Sequence, residues 1–552
     1  MAKAQTVTKS KKAEPAAVDR SRGQQQREQR TERQGELKTA ARKMWEEMRR
    51  QDISASQRAT KVDEMLGLLG GQLAAVGLKH DMSRMVQSCL KHGNSQQREA
   101  IGRELEKSGA WKDLARSTYG RHILGAVLKY CPAQRAPLME ALKGSVRRLV
   151  RQRDAADVVE ECYAVYANAR QRWGLAAEFY GAEVALFEAE GVLGVAEVLE
   201  RRPEKRAAVV SSLKAALGPM LEKGTVQQSV VHRALLDYLR LGDSAERARV
   251  AGDLRELAVE MVHTREGAAA AMLCVAYGTP KDRKAMVRAF KPFLRKMCLD
   301  EYGYATVIQA LDCVDDTVLL SKALLHDIGG MVGDLAMDVY GRRVPLYVLA
   351  GRNPQYVGSD CLSVLKEAEG SGKKDPVQRR VELTRALSPM LLEWAAANAR
   401  TAVFDAQPSQ LLTETLLRAM GDKQAVWQII LDLLQVDPAA VDRAAHVLLS
   451  PIANRVVTTC IMAEYREPKC PDSAAVPPLP QENPKFGTDV LATLHDAGHL
   501  VAAAQAGAFP VRALLESPVT GERARQLLKP HVKEIQQGGS GPTTQAILKQ
   551  LA

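Results

Sequence analysis

The chain has 552 residues, 46% of them hydrophobic but only 5% aromatic, and a formal net charge of +12. It is long enough for two or three ordinary domains or one long repeat array, and its Ala- and Leu-rich make-up suits helix packed on helix better than sheet on sheet. The charge favours a polyanion as partner, RNA, DNA or an acidic membrane face, while no apolar run has the length of a membrane span and the polar, basic start does not read as a secretory signal.

Residues 1–36 are rich in Lys, Arg, Gln, Glu, Ser and Thr and nearly empty of large apolar side chains. Such a segment buries too little surface to fold alone, so a disordered basic arm is expected over 1–40. Through residue 60 there are 15 Lys+Arg against 8 Asp+Glu, a net of +7. More than half of the chain's excess charge therefore sits there. Lys9-Ser10-Lys11-Lys12 is a weak nuclear address. Residues 37–50 predict a basic amphipathic helix, with Leu37, Ala41, Met44, Trp45 and Met48 on one face.

From about residue 62 the pattern turns helical. Met82, Met85, Val86, Cys89 and Leu90 follow i, i+3, i+4, i+7, i+8 spacing, a buried stripe. Breakers recur at His92-Gly93-Asn94, Cys131-Pro132, Gly278-Thr279-Pro280 and Gly351-Arg352-Asn353-Pro354. Residues 83–101 align with 268–286, Gly93 on Gly278 and Arg98 on Arg283. Residues 121–135 carry the same helix, turn and Arg with one residue fewer. Tyr-Gly opens a helix at Tyr119-Gly120, Tyr180-Gly181, Tyr302-Gly303 and Tyr340-Gly341. Equivalent helix starts fall near Ser83, Arg121, Ala156, Ala182, Gln228, Ala268, Gly303 and Arg342. Their mean spacing is about 37 residues, the period of a helical solenoid whose units bury a face only against their neighbours. A repeat array is expected over 41–360, then a charged linker over 361–380 centred on 369–376 (EGSGKKDP), and further helical repeats over 381–552. Residues 467–485 hold six prolines and read as a loop.

Nine cysteines lie scattered with no CxxC pair, so a zinc site is not indicated and no metal or cofactor is expected. His495 and His499 have a zinc-compatible spacing but lack the glutamate of HExxH, and a capped helix start explains them better. Gly370-Ser371-Gly372-Lys373-Lys374 has the look of a phosphate loop, yet Glu367 stands where the upstream Gly belongs and no Ser/Thr follows the lysine. Asp315-Asp316 reads as turn and cap chemistry. No GxSxG, dinucleotide fingerprint or Cys–His nucleophile pair appears, so no catalysis is expected.

The Tyr-Gly helix starts and the Gly-x-x-x-x-Arg turns resemble pumilio repeats. Gly278-Thr279-Pro280-Lys281-Asp282-Arg283-Lys284, the run Leu311 to Thr317, and Tyr340-Gly341-Arg342-Arg343-Val344 are similar to the Puf-A, or pumilio homologue 3-like, branch. Residues 373–395 and His495 to Leu500 resemble its C-terminal CPL domain. The resemblance covers about residues 40–552. It implies an all-α, right-handed superhelical, L-shaped solenoid that binds RNA or DNA with little sequence preference. It also implies a nucleolar protein of large-subunit ribosome maturation, with pre-60S assembly factors and ribosomal proteins as partners and no membrane.

A base-reading pumilio helix places two edge readers and one stacker at positions x, x+1 and x+4. Ser83, Arg84 and Gln87 supply a complete set. His122 and Tyr304 are further candidate base contacts, but Gly125 has no side chain to read with. The remaining helices offer Ala156-Asp157-Glu160, Ala182-Glu183-Leu186, Gln228-Ser229-His232, Ala268-Ala269-Met272, Gly303-Tyr304-Val307 and Arg342-Arg343-Leu346. Base-by-base reading is not expected from such a set. Phosphate contact is expected instead, from Arg121, from Arg147, Arg148, Arg151 and Arg153, from Lys281, Arg283, Lys284, Arg288, Lys291, Arg295 and Lys296, and from Arg342 and Arg343. Two alternatives stay open: a protein-interaction solenoid for acidic partners, and a sequence-specific regulator of messenger RNA resting on the Ser83 set.

Overall fold

A computed structural model describes residues 35–186, 191–437, 441–466 and 483–552. Most of the arm expected over 1–40, with its Lys9–Lys12 run, lies outside these residues, as does Cys470. So does most of the 467–485 loop. The chain divides into two compact units, Met1–Ser212 and Leu213–Ala552. Every regular element among the described residues is helical.

The first described helix runs over 35–48, so helix begins inside the segment read as arm. Its predicted apolar face holds: Ala41 and Met48 are fully buried. Trp45 donates its Nε1–H to Ser88 Oγ at 2.7 Å, and Lys38 pairs with Asp81. In the first unit His80–His92, Gly120–Tyr130 and Arg153–Glu160 stack in succession as an inner layer. In the second unit the inner layer is Ser229–Leu241, Arg265–Tyr277, Gly303–Cys313, Arg343–Ala350, Pro408–Arg418, Ala453–Ala463 and Phe509–Glu516. The starts foreseen from sequence fall within three residues of the helices that form there. Hydrogen bonds one repeat apart tie the layer together, Ser83 Oγ to Tyr119 O and Thr306 Oγ1 to Ala268 O, and Thr384 Oγ1 of the helix Pro376–Ala402 joins it at Val348 O.

Both recurring motifs are folding devices. At three of the four Tyr-Gly starts a side chain two residues before the tyrosine accepts from both backbone amides: Ser117 Oγ for Tyr119 and Gly120, Asp300 Oδ1 for Tyr302 and Gly303, Asp338 Oδ1 for Tyr340 and Gly341. At the fourth the Tyr180 amide donates to Ala177 O. A Cβ on Gly120 would lie 2.6 Å from Leu114 O, and one on Gly303 2.8 Å from Met297 O. Only glycine lets the inner helix start this close to the preceding short helix.

At Arg98, Arg172 and Arg283 the Gly-x-x-x-x-Arg turn carries a capping box followed at once by arginine, with Ala167 in the glycine position before Arg172. At Arg247, Asp243 caps the Glu246 amide without the return bond. Asn94 and Gln97 exchange bonds before Arg98, Asn168 and Gln171 before Arg172, Thr279 and Asp282 before Arg283. Each such arginine reaches back to the free carbonyls that end the inner helix. Arg98 donates to Leu90 O and Lys91 O, Arg172 to Tyr163 O and Ala164 O, Arg247 to Leu239 O and Arg240 O. Arg98, Arg135 and Arg247 also lie over Tyr130, Tyr166 and Tyr277, at 5.1, 4.3 and 4.9 Å. Tyr130 and Tyr277 end the next inner helix and Tyr166 ends the π-helical stretch Glu161–Tyr166 that continues Arg153–Glu160, so one side chain caps its own repeat and clamps its neighbour.

The segment read as a charged linker is built structure. Residues Ser359–Glu367 are helical, and Pro376 opens a 27-residue helix to Ala402. Between them, the amides of Lys373 and Lys374 donate to the Asp315 carboxylate, and Ser371 O accepts from Arg283 Nη2 at 2.7 Å. The loop that looked like a phosphate cradle thus holds an internal carboxylate, which Arg379 also grips at 2.9 Å. Backbone amides and guanidinium keep Asp315 ionised below the usual carboxylate range, against the opposing effect of its burial.

The eight described cysteines are all free and buried, and burial pushes the Cys89 thiol up to about 12. His495 lies near the end of the helix Phe486–Asp496 and His499 beyond the turn that follows, so they do not share one helix face. No group of three His, Cys, Asp or Glu among the described residues is arranged to hold a metal. No described helix is long and apolar enough to cross a membrane.

Candidate nucleic-acid interface

The structure divides the candidate residues into those committed to the fold and those facing solvent. Ser83 belongs to the first group. It is 1% exposed, donates to Tyr119 O at 2.8 Å and accepts from Gln87 Nε2 at 2.9 Å. Both supposed edge readers are bonded to the repeat itself. Arg84 is exposed, its guanidinium 5.6 Å from the Trp45 ring, which also carries Arg49 at 4.6 Å. Tyr304 is 4% exposed, and its hydroxyl accepts from Arg343 Nη1 at 2.6 Å. Burial raises its phenol above the ordinary range. It is a core ring stacked near Tyr340, not a base platform. Of the five expected base contacts, only Arg84 and His122 present exposed side chains.

The phosphate candidates divide likewise. Arg283 is 7% exposed and donates to the carbonyls of Val275, Ala276, Cys313 and Ser371. It is the capping arginine of its repeat. Arg121 is bound by Asp154 and Asp157 of the next inner helix. Arg342 is half-buried, donates to Gln410 Oε1 and Asp338 O, and has its basicity lowered by burial and by Arg343. Arg343 packs over Tyr304 and Tyr340. Lys291 and Arg295 are exposed but paired with Asp327 and Asp334. These residues were expected on phosphate because their charge is plain in sequence and their partners are not.

Two clusters remain. Arg148, Arg151 and Arg153 are exposed, with Arg147 half-buried beside them, and their guanidiniums meet no partner among the described residues. Glu178 instead caps the backbone of the short helix Val146–Leu149, accepting from Val146 N and Arg147 N. In the second unit Lys281, Lys284, Arg288 and Lys296 are exposed and equally unpaired. The first three, at i, i+3 and i+7 of the helix Pro280–Phe290, share one face.

That face lies on the second-layer helix. The inner helix beside it, Arg265–Tyr277, presents buried alanines at Ala268, Ala270 and Ala271. Charge and code therefore occupy different elements of one repeat, and a row of this kind suits phosphate while offering nothing that reads a base. Phe293, 49% exposed in the turn Lys291–Phe293, adds a ring on which an unpaired base can stack. Sequence reading passed over it, although an aromatic inside a run of seven cations was the available signal.

The solved structure of human Puf-A matches this fold with a TM-score of 0.82 at 27% identity, covering 94% of this chain and all of that one. Human Pumilio homolog 3 is 31% identical over 423 residues, 76% of this chain. The chain belongs to the Puf-A, or pumilio homologue 3, family. Pumilio homology domain family member 6 of Schizosaccharomyces pombe is a further relative, 32% identical over 74% of this chain. The matched regions span 65% and 64% of the length of these two curated relatives. Human Puf-A has also been solved in complex with DNA, and that structure matches with a TM-score of 0.81 at 28% identity, covering 94% of this chain and 99% of that one. The CPL (NUC119) domain model matches residues 337–469. The match takes in Arg343–Ala350 and the pinned loop, and leaves 486–552 outside. It begins earlier than the 381 expected from sequence, because the loop at 369–376 is not a boundary in this Puf-A family fold.

Proposed function

We propose that this chain is a nucleic-acid-binding repeat protein of low sequence specificity. It grips structured RNA by phosphate contacts, DNA by the same chemistry, and acts in the nucleolus on pre-rRNA during large-subunit assembly. One observation carries the binding mode: exposed, unpaired cations stand on surfaces such as Lys281-Lys284-Arg288, while the edge readers Ser83 and Gln87 are bonded internally. Membership of the Puf-A family supports the assignment to ribosome assembly, and the DNA complex of human Puf-A supports nucleic acid as the ligand.

The test is binding to a pre-rRNA fragment and its scrambled versions at two salt concentrations. Near-equal affinities that fall steeply with salt are expected, since each neutralised phosphate releases counterions. Strong dependence on sequence with a shallow salt slope would overturn the binding mode. Immunofluorescence against a nucleolar marker, with rRNA-intermediate analysis after depletion, tests the place of action. A diffuse cytoplasmic signal and unchanged precursors would refute it.

A further inference from the structure

We propose that the CPL domain carries a cleft for a short, extended, acidic peptide segment. The cleft has a volume of about 580 Å3, and every residue lining it lies between Asn353 and Arg466, inside the 337–469 match. Two consecutive inner helices, Pro408–Arg418 and Ala453–Ala463, build it together with the turn around Asn353 to Tyr356. None of the exposed cations described above contributes to it, so it is a second site with its own chemistry.

The lining favours an anion that also offers main-chain groups. Leu417, Val456, Met462 and Ala463 supply apolar surface. Three arginines, Arg418, Arg455 and Arg466, line the cleft against one acidic residue, Glu414. Glu414 already accepts from Tyr356 Oη and from Arg418 Nε, each at 2.8 Å, and Arg466 is held by Glu516. Arg455 is exposed, and its guanidinium meets no partner among the described residues. A guanidinium fork of this kind suits a carboxylate. Gln410 accepts from Arg342 and Asn353 accepts from the Gln355 amide, while neither NH2 group donates to a described residue. Planar amides with free donors pair well with the backbone of an extended segment.

A nucleobase fits this lining less well, because base capture relies on stacking. The aromatic ring here is Tyr356, 9% exposed and with its hydroxyl bonded to Glu414. Size also fits a peptide. Packed helices lie about 8–10 Å apart, so turn, first helix and second helix span about 16–20 Å. At about 3.3 Å per extended residue, five or six residues fill that span.

The test uses the full chain and a fluorescein-labelled hexapeptide of alternating Leu and Glu, followed by fluorescence anisotropy. Its control replaces each Glu by Gln. The acidic peptide should bind at least tenfold more tightly than the control. Arg455→Glu should abolish that preference, and Thr459→Trp should weaken binding at least tenfold by filling the cleft. Both variants should keep the parent's melting temperature and RNA affinity. The proposal is overturned if the acidic peptide does not bind, if both peptides bind equally, or if Arg455→Glu leaves the preference intact. It is also overturned if a single-stranded oligonucleotide displaces the peptide and Arg455→Glu weakens the oligonucleotide, which would assign the cleft to nucleic acid.

Discussion

Arg283 and Lys284 are neighbours on one helix, yet they belong to different regions of the repeat. Arg283 points into the seam, where four carbonyls surround its guanidinium. Lys284 points outward with Lys281 and Arg288 and touches no described partner. Sequence reading placed all four on phosphate. The seam teaches that position relative to a capping box, not charge, separates a structural cation from a binding one. Arginine directly after the box stands over the open carbonyl end of the preceding helix, where its fork satisfies acceptors that nothing else reaches.

The largest expected effect breaks the seam. Arg283→Ala should lower unfolding stability by about 3 kcal/mol, since hydrogen bonds from a charged donor are lost and buried carbonyls are stranded. Lys284→Ala should stay within about 0.5 kcal/mol. Urea titration of the two variants checks the pair, and equal effects would erase the distinction.

A second prediction concerns a buried member of the Gln228-Ser229-His232 set in the inner layer. His232 is enclosed between Thr264 Oγ1 and Val226 O, each at 2.7 Å, and burial holds its pKa down at about 3. His263 and its charge add to that depression. The unfolded chain takes up a proton near pH 6.5, but the folded site resists it until about pH 3. Stability should therefore fall as pH drops from about 6.5 towards 3. His232→Gln should remove that slope even if the variant is less stable at pH 7, as denaturant midpoints across the range would reveal.

The outward face gives the complementary result. Replacing Lys281, Lys284 and Arg288 together by Ala should leave the melting temperature unchanged. It should weaken RNA affinity about tenfold at low salt and reduce the salt slope by about 2–3, as three phosphate contacts require. An unaltered slope would move the interface elsewhere.

The smallest effect sharpens the fate of the base code. Ser83→Ala removes a buried hydroxyl that links two repeats, and a loss of about 1 kcal/mol is expected. The ranking of RNA sequences by affinity should not change. A changed ranking would restore Ser83 as a reader.

Much of the architecture is written in local pattern. Apolar stripes such as Met82 to Leu90, the capping boxes and the Tyr-Gly starts are short-range signals, because helix periodicity and helix ends depend on residues three or four apart. They located the inner helices as far as Arg343–Ala350 to within three residues, but not those that follow, Pro408–Arg418, Ala453–Ala463 and Phe509–Glu516. The loop at 369–376 shows where such signals stop. Its glycines and lysines read as a linker, while its structure depends on Asp315, 58 residues away from Lys373.

The sequence by itself determined the helical repeats, their period of about 37 residues and the excess of positive charge. Tertiary structure decided which charges are available. Whether a guanidinium caps a carbonyl, pairs with a carboxylate one repeat away or stands free depends on groups that folding alone brings within hydrogen-bond reach. The same holds for Ser83 and Tyr304, whose side chains suit base contact but are buried between stacked helices. The unpaired rows at Arg148-Arg151-Arg153 and Lys281-Lys284-Arg288 are what remains once the fold has claimed the rest.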